Sequence, residues 1–459
     1  MTPLLKCKEE IMLFHKRAIT VYGIFICALL CACQPTPESS IVVGSEPNYT
    51  SADAKCTIGE LIIPEIWIEK DMETSKTYRI SADACIEVPH ITECRNIIVK
   101  RAPFDSTKIE KIAELFVEDM SQIYMRDINL TKQEILEMII AYERQLAQKS
   151  EKRDMSPAEI NTILNDLYTR LETAPETKQQ GILSFNSKSE GDEYIGEFLL
   201  NNRKTIIFGI MNGTSLYIAP GGVTQYEGLD WGDGILKIDD IGISEQEAAD
   251  IAELFVSSLP CDNMALIDTK KAQLVEPSNE YIIPLYVMVY GKTNNGLSTV
   301  DVGTGYTVYP TTVASEYAAP WPQDIILAYV SRDGVIGCEW NGASEIDYVD
   351  KSECELIPFS QVQTRIREQM KYRYSYLEDE KYARIDPIDI CIDKIKFGYC
   401  ITGVKGNAER ARLVPAWYVL YREFAEENGE GTEAVMVLNA ETGALMDPRI
   451  VSADNSTAE

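Results

Sequence analysis

Histidine is nearly missing from this chain of 459 residues: only His15 and His90 occur. Zinc centres built on two or three imidazoles are thereby excluded. A Ser-His-Asp hydrolase would have to use His90 as its base, and no Gly-x-Ser-x-Gly accompanies it. Cys-x-x-Cys is absent, as are a Walker loop and a strand-linked Gly-x-Gly-x-x-Gly. The sequence therefore offers neither a paired-thiolate zinc site nor a phosphate-binding glycine loop, and it implies no cofactor. Positive charge is scarce too. Lys and Arg number 43 against 72 Asp and Glu, a net charge of −29. Such a surface repels nucleic-acid phosphates and anionic headgroups, which excludes nucleic acid as a partner and favours solubility at an exposed surface. After Leu30 no apolar run approaches the roughly 20 residues of a spanning helix.

What the chain does carry begins near its first residue. Lys6, Lys8, Lys16 and Arg17 form a basic head, and Ala18 to Leu30 is an apolar run of signal-peptide length. Met12 is an alternative start that would leave His15, Lys16 and Arg17 as the head. Leu30-Cys31-Ala32-Cys33 then has the order of a lipobox. A membrane transferase needs a thiol at the bilayer surface, and the peptidase that follows needs a small residue before it. Ala32 meets that need for Cys33, whereas bulky Leu30 precedes Cys31. The expectation is a lipoprotein whose mature part starts at Cys33, lipidated there and held at the outer face of the cytoplasmic membrane. Buried acyl chain contributes about 0.8 kcal/mol per methylene, and two or more chains anchor stably. Gln34 to about Ala54 is rich in Pro, Ser, Thr and Glu and reads as a flexible tether.

Cys56, Cys85, Cys94, Cys261, Cys338, Cys354, Cys391 and Cys400 follow Cys33. An even count outside the cytoplasm permits disulfides. Cys85 and Cys94 bracket a turn around Pro89, and Cys338 and Cys354 would close a short loop; these are the candidate pairs. Buried free thiols are the alternative. Cys391 and Cys400 lie in one alternating segment, which as a strand holds them too far apart to bond.

Hydrophobic periodicity gives an α+β chain of several domains, with antiparallel sheets each packed against helices. Strands are predicted over Leu61 to Glu69, Thr77 to Val88 and Ile97 to Lys100, then a helix over Thr107 to Tyr124. Thr131 with Glu134 and Ser156 with Pro157 open two more helices. A meander of strands follows over Glu193 to Leu200, Lys204 to Ile210 and Thr214 to Ala219. Ser244 and Glu247 cap a helix reaching about Leu259, and Pro358-Phe359 opens another reaching about Tyr374. A hairpin turns over Arg332-Asp333-Gly334. The predicted divisions are 1–32 signal peptide, 33–55 tether, 56–175 strands then helices, 181–335 middle domain, 336–452 C-terminal domain and 453–459 disordered tail.

One pattern is used twice. YIIPLYVMVYG (Tyr281 to Gly291) aligns with RLVPAWYVLYR (Arg412 to Arg422), matching Pro284 to Pro415, Tyr286 to Trp417 and Tyr290 to Tyr421. Each follows a helix and precedes a strand that ends in a glycine turn, LSTVDVGTG and AVMVLNAETGAL. A proline cannot donate to a ladder, so Pro284 and Pro415 are expected at strand starts or sheet edges. LVPAWYVLY with VLNAETGAL resembles the PepSY-type repeat of extracytoplasmic regulatory and binding proteins. The wider layout is similar to a family of clostridial lipoproteins known only as a domain of unknown function. In that layout CQPTPE follows the lipobox, TKQEI opens a helix, and SRDGVIGCEW precedes LIPF. This resemblance spans nearly the whole mature chain. It implies a compartment and a duplicated helix-plus-sheet module, and it brings no catalytic residues.

Three other clusters are candidates for chemistry. His90, Glu93 and Cys94 form a weak metal set at loop spacing. Asp230, Asp233, Asp239 and Asp240 supply hard oxygen ligands without EF-hand spacing. Tyr372, Tyr374 and Tyr376 with Trp321, Trp340 and Trp417 would suit a sugar or peptide groove, or else a packed core. With no assembled catalytic set, the expectation is a non-enzymatic binding or regulatory module, membrane-held through its N-terminal lipid, with a protein or peptide partner added at the edges near Pro284 and Pro415. An envelope enzyme acting on carbohydrate or peptidoglycan through carboxylates is one alternative, and a purely structural envelope protein is the other.

Overall fold

The local signals in the sequence are the ones that start the helices. In the computed structural model, which describes residues 55–117, 123–125, 130–147, 156–177, 183–187, 191–201, 203–210, 213–228, 236–275, 282–301, 319–378, 387–404, 407–424 and 431–446, strands β1 (Ile66–Thr74), β2 (Tyr78–Glu87) and β3 (Ile97–Arg101) come first. β1 starts five residues later than predicted, after Pro64, which has no N–H to give to a ladder. Helix α1 (Ser106–Ala113) is capped by Asp105, whose carboxylate accepts from Lys108 N at 2.7 Å. It is less than half the predicted length. Leu115 and Phe116 N–H groups bond back three residues, to Ile112 and Ala113, and that tight turn ends the helix.

The described residues form two units, Val117–Ile207 and the remainder. The smaller contains β4 (Tyr124–Met125), helices α2 (Lys132–Ala147) and α3 (Pro157–Leu171), β5 (Leu183–Ser187), β6 (Gly191–Leu200) and most of β7 (Arg203–Ile210). Thr131 N–H donates to Glu134 at 2.9 Å and Ser156 N–H to Glu159 at 2.8 Å, so both predicted helix starts are present. The two helices share a core of Ile135, Ile139, Ile160, Leu164 and Leu167. β4 and β5 both pair with β6.

The larger unit continues with β8 (Leu216–Pro220), β9 (Val223–Tyr226), α4 (Glu245–Ser258), β10 (Met264–Val275), β11 (Ile282–Asn294) and β12 (Leu297–Ser298). Then follow β13 (Ile325–Ser331), β14 (Gly334–Asn341), β15 (Ser344–Val349), α5 (Phe359–Tyr374), β16 (Ile388–Val404), β17 (Asn407–Phe424), β18 (Thr432–Asn439) and β19 (Leu445–Met446). Among described residues the first sheet has the order β1-β2-β16-β17-β18-β19, with β3 pairing both β17 and β15. Its one parallel pair is β2 with β16. The second runs β9-β10-β11-β13-β14-β8, with β12 on β11. Ser244 caps α4 through Glu247, as predicted. That helix buries Ala248, Ala252, Phe255 and Val256.

Helix α5 covers one face of the first sheet. Its Phe359, Val362, Ile366, Met370 and Tyr374 join Tyr78, Ile80, Phe397, Trp417 and Met436 in the largest core. The buried positions of β16 change parity along the strand: Ile390 and Ile392, then Ile395, Phe397, Tyr399 and Ile401. The register slips between Ile392 and Lys394, and this bulge keeps both halves facing the same core. On the opposite face Cys400, Val414, Ala416, Tyr418 and Val437 make a second cluster against Val300.

The two sheets meet where residues 298–300 cross between them. A Cβ on Gly291 of β11 would stand 2.3 Å from Thr299 Oγ1, and one on Gly398 of β16 would stand 2.4 Å from Val300 Cγ2. Both glycines make room for that crossing, and Thr299 bridges to Tyr399 in parallel.

The α+β class with sheets packed on helices therefore holds. The predicted divisions do not. β2 and β3, expected inside a domain at 56–175, pair with β15, β16 and β17 of the C-terminal region. The boundary expected at 335/336 falls inside β14. Sheet pairing between distant segments, invisible to local patterning, is the reason. The signal peptide, most of the tether and the C-terminal tail lie outside the described residues.

Candidate functional site

Most of the expected site residues prove to be structural. Cys33 lies outside the described residues, as do Asp230 and Asp233. Asp240 accepts from Gly242 N at 2.7 Å and closes a turn before α4. His90 is exposed. Among the described residues no cluster of three His, Cys, Asp or Glu is arranged to hold a metal. Trp321, Trp340, Trp417 and Tyr374 are buried in the cores, so the aromatic set does not line a groove. The described cysteines are free. The expected pairings are corrected: Cys85 is exposed on β2, whereas Cys94 is buried against Cys354 and accepts its N–H at 2.8 Å. Cys338 is buried within β14 of the second sheet, whereas Cys354 lies in the connection after β15, in the core of the first sheet.

The prolines correct the expected docking edges. Pro284 faces Gln273 of β10, and β11 is covered on its other side by β13 from Tyr286 onward. Pro415 faces Tyr399 and sits where the second neighbour of β17 changes from β3, ending at Leu413, to β18, starting at Ala416. Each proline is placed where one ladder has no donor to lose, and neither strand is a sheet edge.

The open edge is elsewhere. Among the described residues β1 pairs only with β2, so its outer side presents backbone groups without a ladder. Its inward side chain, Trp67, is 5% exposed and donates Nε1–H to Glu69 at 3.1 Å. Arg367 of α5 grips Glu69 with two bonds of 2.9 and 2.6 Å, and Lys371 meets Glu73 at 3.0 Å. The Arg367 hydrogen bonds hold the Glu69 carboxyl below its ordinary range, against the opposing effect of burial. The strand is thus pinned from within. Outward, Ile66 and Ile68 are 57% and 63% exposed, and Ile62 just before them is 90% exposed. Cys85 and Asp83 stand opposite Ile66 and Ile68 on β2. Exposed Glu65, Lys70 and Asp71 flank the isoleucines along the strand, and exposed Asp83 stands opposite Ile68. A bulge between Glu69 and Glu73 ends the flat stretch. This short, apolar, acid-flanked edge can take an extended peptide, its backbone completing the ladder and its alternate side chains meeting the isoleucines.

Two polar clusters in the larger unit do different work. Lys292 is fully buried, 3.0 Å from Asp324, and donates to the carbonyls of Asp262 at 3.0 Å and Ser344 at 2.8 Å. Asp324 also accepts from Trp340 Nε1 at 2.9 Å and from the N–H and Oγ of Ser344 at 2.9 and 2.7 Å. A charge pair satisfied on every side and closed to solvent holds structure and has no capacity left for a ligand. Nearby Lys108 lies over the rings of Phe104 and Trp340 at 4.6 and 4.8 Å, and its pKa is lowered by burial. Burial pushes the neighbouring Cys261 thiol up to about 11, away from a nucleophilic thiolate.

The second cluster is phenolic. Tyr329 donates to Glu339 at 3.0 Å on adjoining strands of the second sheet. Burial raises the Tyr217 hydroxyl to about 12 with Glu339 adding to the shift, and Tyr226 is raised by burial and then by Glu339 and Asp301. Asp301 is ion-paired to Lys270.

Sequence reading had identified β1 as a strand without saying which face was wet. Ile66-Trp67-Ile68 is apolar on both faces, and that is the signal that one apolar side has nothing of its own domain to bury it.

No protein-family model matches the chain, and no curated protein does. Among solved structures it is similar to an uncharacterized protein from Eubacterium rectale, at 13% identity and a TM-score of 0.49. The likeness covers 86% of this chain and 96% of that one.

Proposed function

We propose that this chain is a lipid-anchored, extracytoplasmic binding module that captures an extended peptide by strand addition at β1. The observation that carries the reading is the exposed Ile66 and Ile68 on an edge strand whose outer ladder is open. The occupant is a peptide with apolar side chains at alternate positions and a net positive charge, complementing Glu65, Asp71 and Asp83. The lipobox ending in Cys33 supplies the anchor, and the chain is non-enzymatic. The order helix, strand, proline-bearing strand occurs as α4-β10-β11 and again as α5-β16-β17. That order supports reading the two as a duplicated PepSY-like module, of the kind found in the clostridial lipoproteins of unknown function that the sequence resembles.

The experiment has two arms. Metabolic labelling with a palmitate analogue in a bacterial host should mark the wild-type chain in the membrane fraction and not Cys33→Ser, which should be released. Synthetic ten-residue peptides alternating Ile or Val with Lys should bind the wild type. The Ile66→Lys, Ile68→Lys double variant should bind them at least about tenfold more weakly with an unchanged melting temperature, because both side chains already face solvent. Membrane retention of Cys33→Ser without label would overturn the anchor. Absence of peptide binding, or equal binding by the variant, would overturn the edge.

A second reading, a carbohydrate-acting envelope enzyme, is favoured by one observation: Glu339 accepts from Tyr329 at 3.0 Å and stands opposite Tyr217 on β8, a carboxylate set among phenols. Release of reducing sugar from peptidoglycan, abolished by Glu339→Gln, would support it.

A further inference from the structure

Cys94 lies in the β2–β3 connection just before Arg95, whose carbonyl accepts from Tyr399 OH at 2.8 Å. Cys354 lies in the connection from β15 to α5. These two segments run antiparallel and are laced together. Asp350 N–H donates to Asn96 O at 2.9 Å, Cys354 N–H donates to Cys94 O at 2.8 Å, and Arg95 bonds the carbonyls of Asp350 and Lys351. Just beyond, Cys56 and Leu356 exchange both backbone bonds, at 3.0 and 2.8 Å. Cys94 and Cys354 are 1% and 3% exposed and sit in the same core, where the Cys354 thiol is the first cause that raises the Cys94 pKa. With the one bond of 2.8 Å from Cys354 N–H to Cys94 O, backbone bond lengths hold the two Cα atoms within about 6.7 Å of each other. A disulfide spans about 4.4–6.8 Å.

From this geometry we infer that Cys94 and Cys354 form a structural disulfide that staples the β2–β3 connection to the segment leading into α5. Each thiol gives up one proton and one electron, and an S–S bond forms between the two sulfurs. The electron acceptor is a disulfide, either that of an exported thiol oxidase or a small-molecule disulfide, which leaves as two thiols. The bond closes a loop of roughly 260 residues, a length at which restricting the unfolded chain has a large effect. The surroundings make the bond slow to exchange once formed. Exchange needs an outside thiolate to reach one of the two sulfurs, and with the residues 1% and 3% exposed that approach is closed. A redox-responsive switch would need exposure, and this pair has almost none. The other described cysteines offer no comparable partner. Cys391 and Cys400 are nine residues apart along β16, about 30 Å at strand rise.

The test uses the whole chain refolded from denaturant in a reduced/oxidised glutathione buffer, so that burial in the folded state does not block access. Free thiols are then alkylated, and the protein is digested without reduction for mass spectrometry. One cross-linked species joining the Cys94 and Cys354 peptides is expected, and reduction should lower the melting temperature by about 5 °C or more. The Cys94→Ser, Cys354→Ser double variant should melt at the reduced wild-type temperature and be insensitive to dithiothreitol. Should that variant fail to fold, the wild-type peptide map decides alone. Both thiols alkylated after oxidative refolding, or either one cross-linked to a different cysteine, would overturn the inference. Neither outcome bears on peptide binding at β1.

Discussion

Lys292 and Asp324 show how much one pair can hold. Lys292 extends from β11 of the second sheet, and Asp324 bonds Trp340 of β14 and the first residue of β15, Ser344, which belongs to the first sheet. The pair thus fastens one sheet to the other through a residue that both ions contact. Removing either partner leaves an unpaired charge in a site closed to solvent. Lys292→Met or Asp324→Leu alone should each cost about 3–5 kcal/mol, read as a lowered urea midpoint. The double variant should recover part of that loss, because an apolar pair of similar volume leaves no buried charge. Equal losses in the single and double variants would show that hydrogen bonds to Ser344 and Trp340, and not the charges, dominate. None of this was legible in the sequence. Lys292 ends an apolar run and Asp324 follows a proline-rich stretch, 32 positions away, with no local spacing to connect them.

At the scale of elements, what was legible was local. Thr131 with Glu134, Ser156 with Glu159 and Ser244 with Glu247 are three residues apart, so their chemistry is written within one helical turn. Parity along strands was legible only between bulges. Trp67 and Met72 on β1 share the core side because the register slips between Glu69 and Glu73. The docking of α5 on β1 could not be read either, since Arg367 and Glu69 are 298 residues apart. That contact carries a pH dependence. The folded-state pKa of Glu69 is depressed from an ordinary 4.5, chiefly by hydrogen bonds from Arg367. A depressed carboxylate contributes stability that is fully present above its ordinary pKa and is lost as pH falls through the folded value. Both side chains are partly wet, so the contribution is below about 1 kcal/mol. The wild type should exceed Glu69→Gln in urea midpoint at pH 7, and the difference should close below the ordinary pKa of 4.5. A gap that persists at pH 3 would assign the effect to Gln packing and not to the ion pair.

For the whole molecule, the decisive fact is that the chain's first strands are completed by its last. β2 lies against β16 in parallel, from Tyr78 beside Ile388 to Glu87 beside Lys396, and β3 lies between β15 and β17. Divisions at 175 and 335 followed the order of elements along the sequence, and pairing across about 300 residues overrode them. Such pairing closes late, because the loop entropy is spent before the contacts form. Without β15 to β17 the inward faces of β1 to β3 lose the surface that buries Trp67, Tyr78, Ile80 and Val99. Helices α2 and α3 differ, since Ile135, Ile139, Ile160, Leu164 and Leu167 are buried against one another. A fragment of residues 56–175 should therefore keep helical circular dichroism from α2 and α3 while showing no cooperative loss of strand signal on heating. Its β1 to β3 amides should exchange with deuterium as fast as in an unfolded chain, whereas the same amides in the full chain should be protected. Slow exchange in the isolated fragment would restore 56–175 as an autonomous domain. It would also mean that β1 can present Ile66 and Ile68 without the C-terminal half, so the same measurement fixes how much of the chain a peptide-binding edge requires.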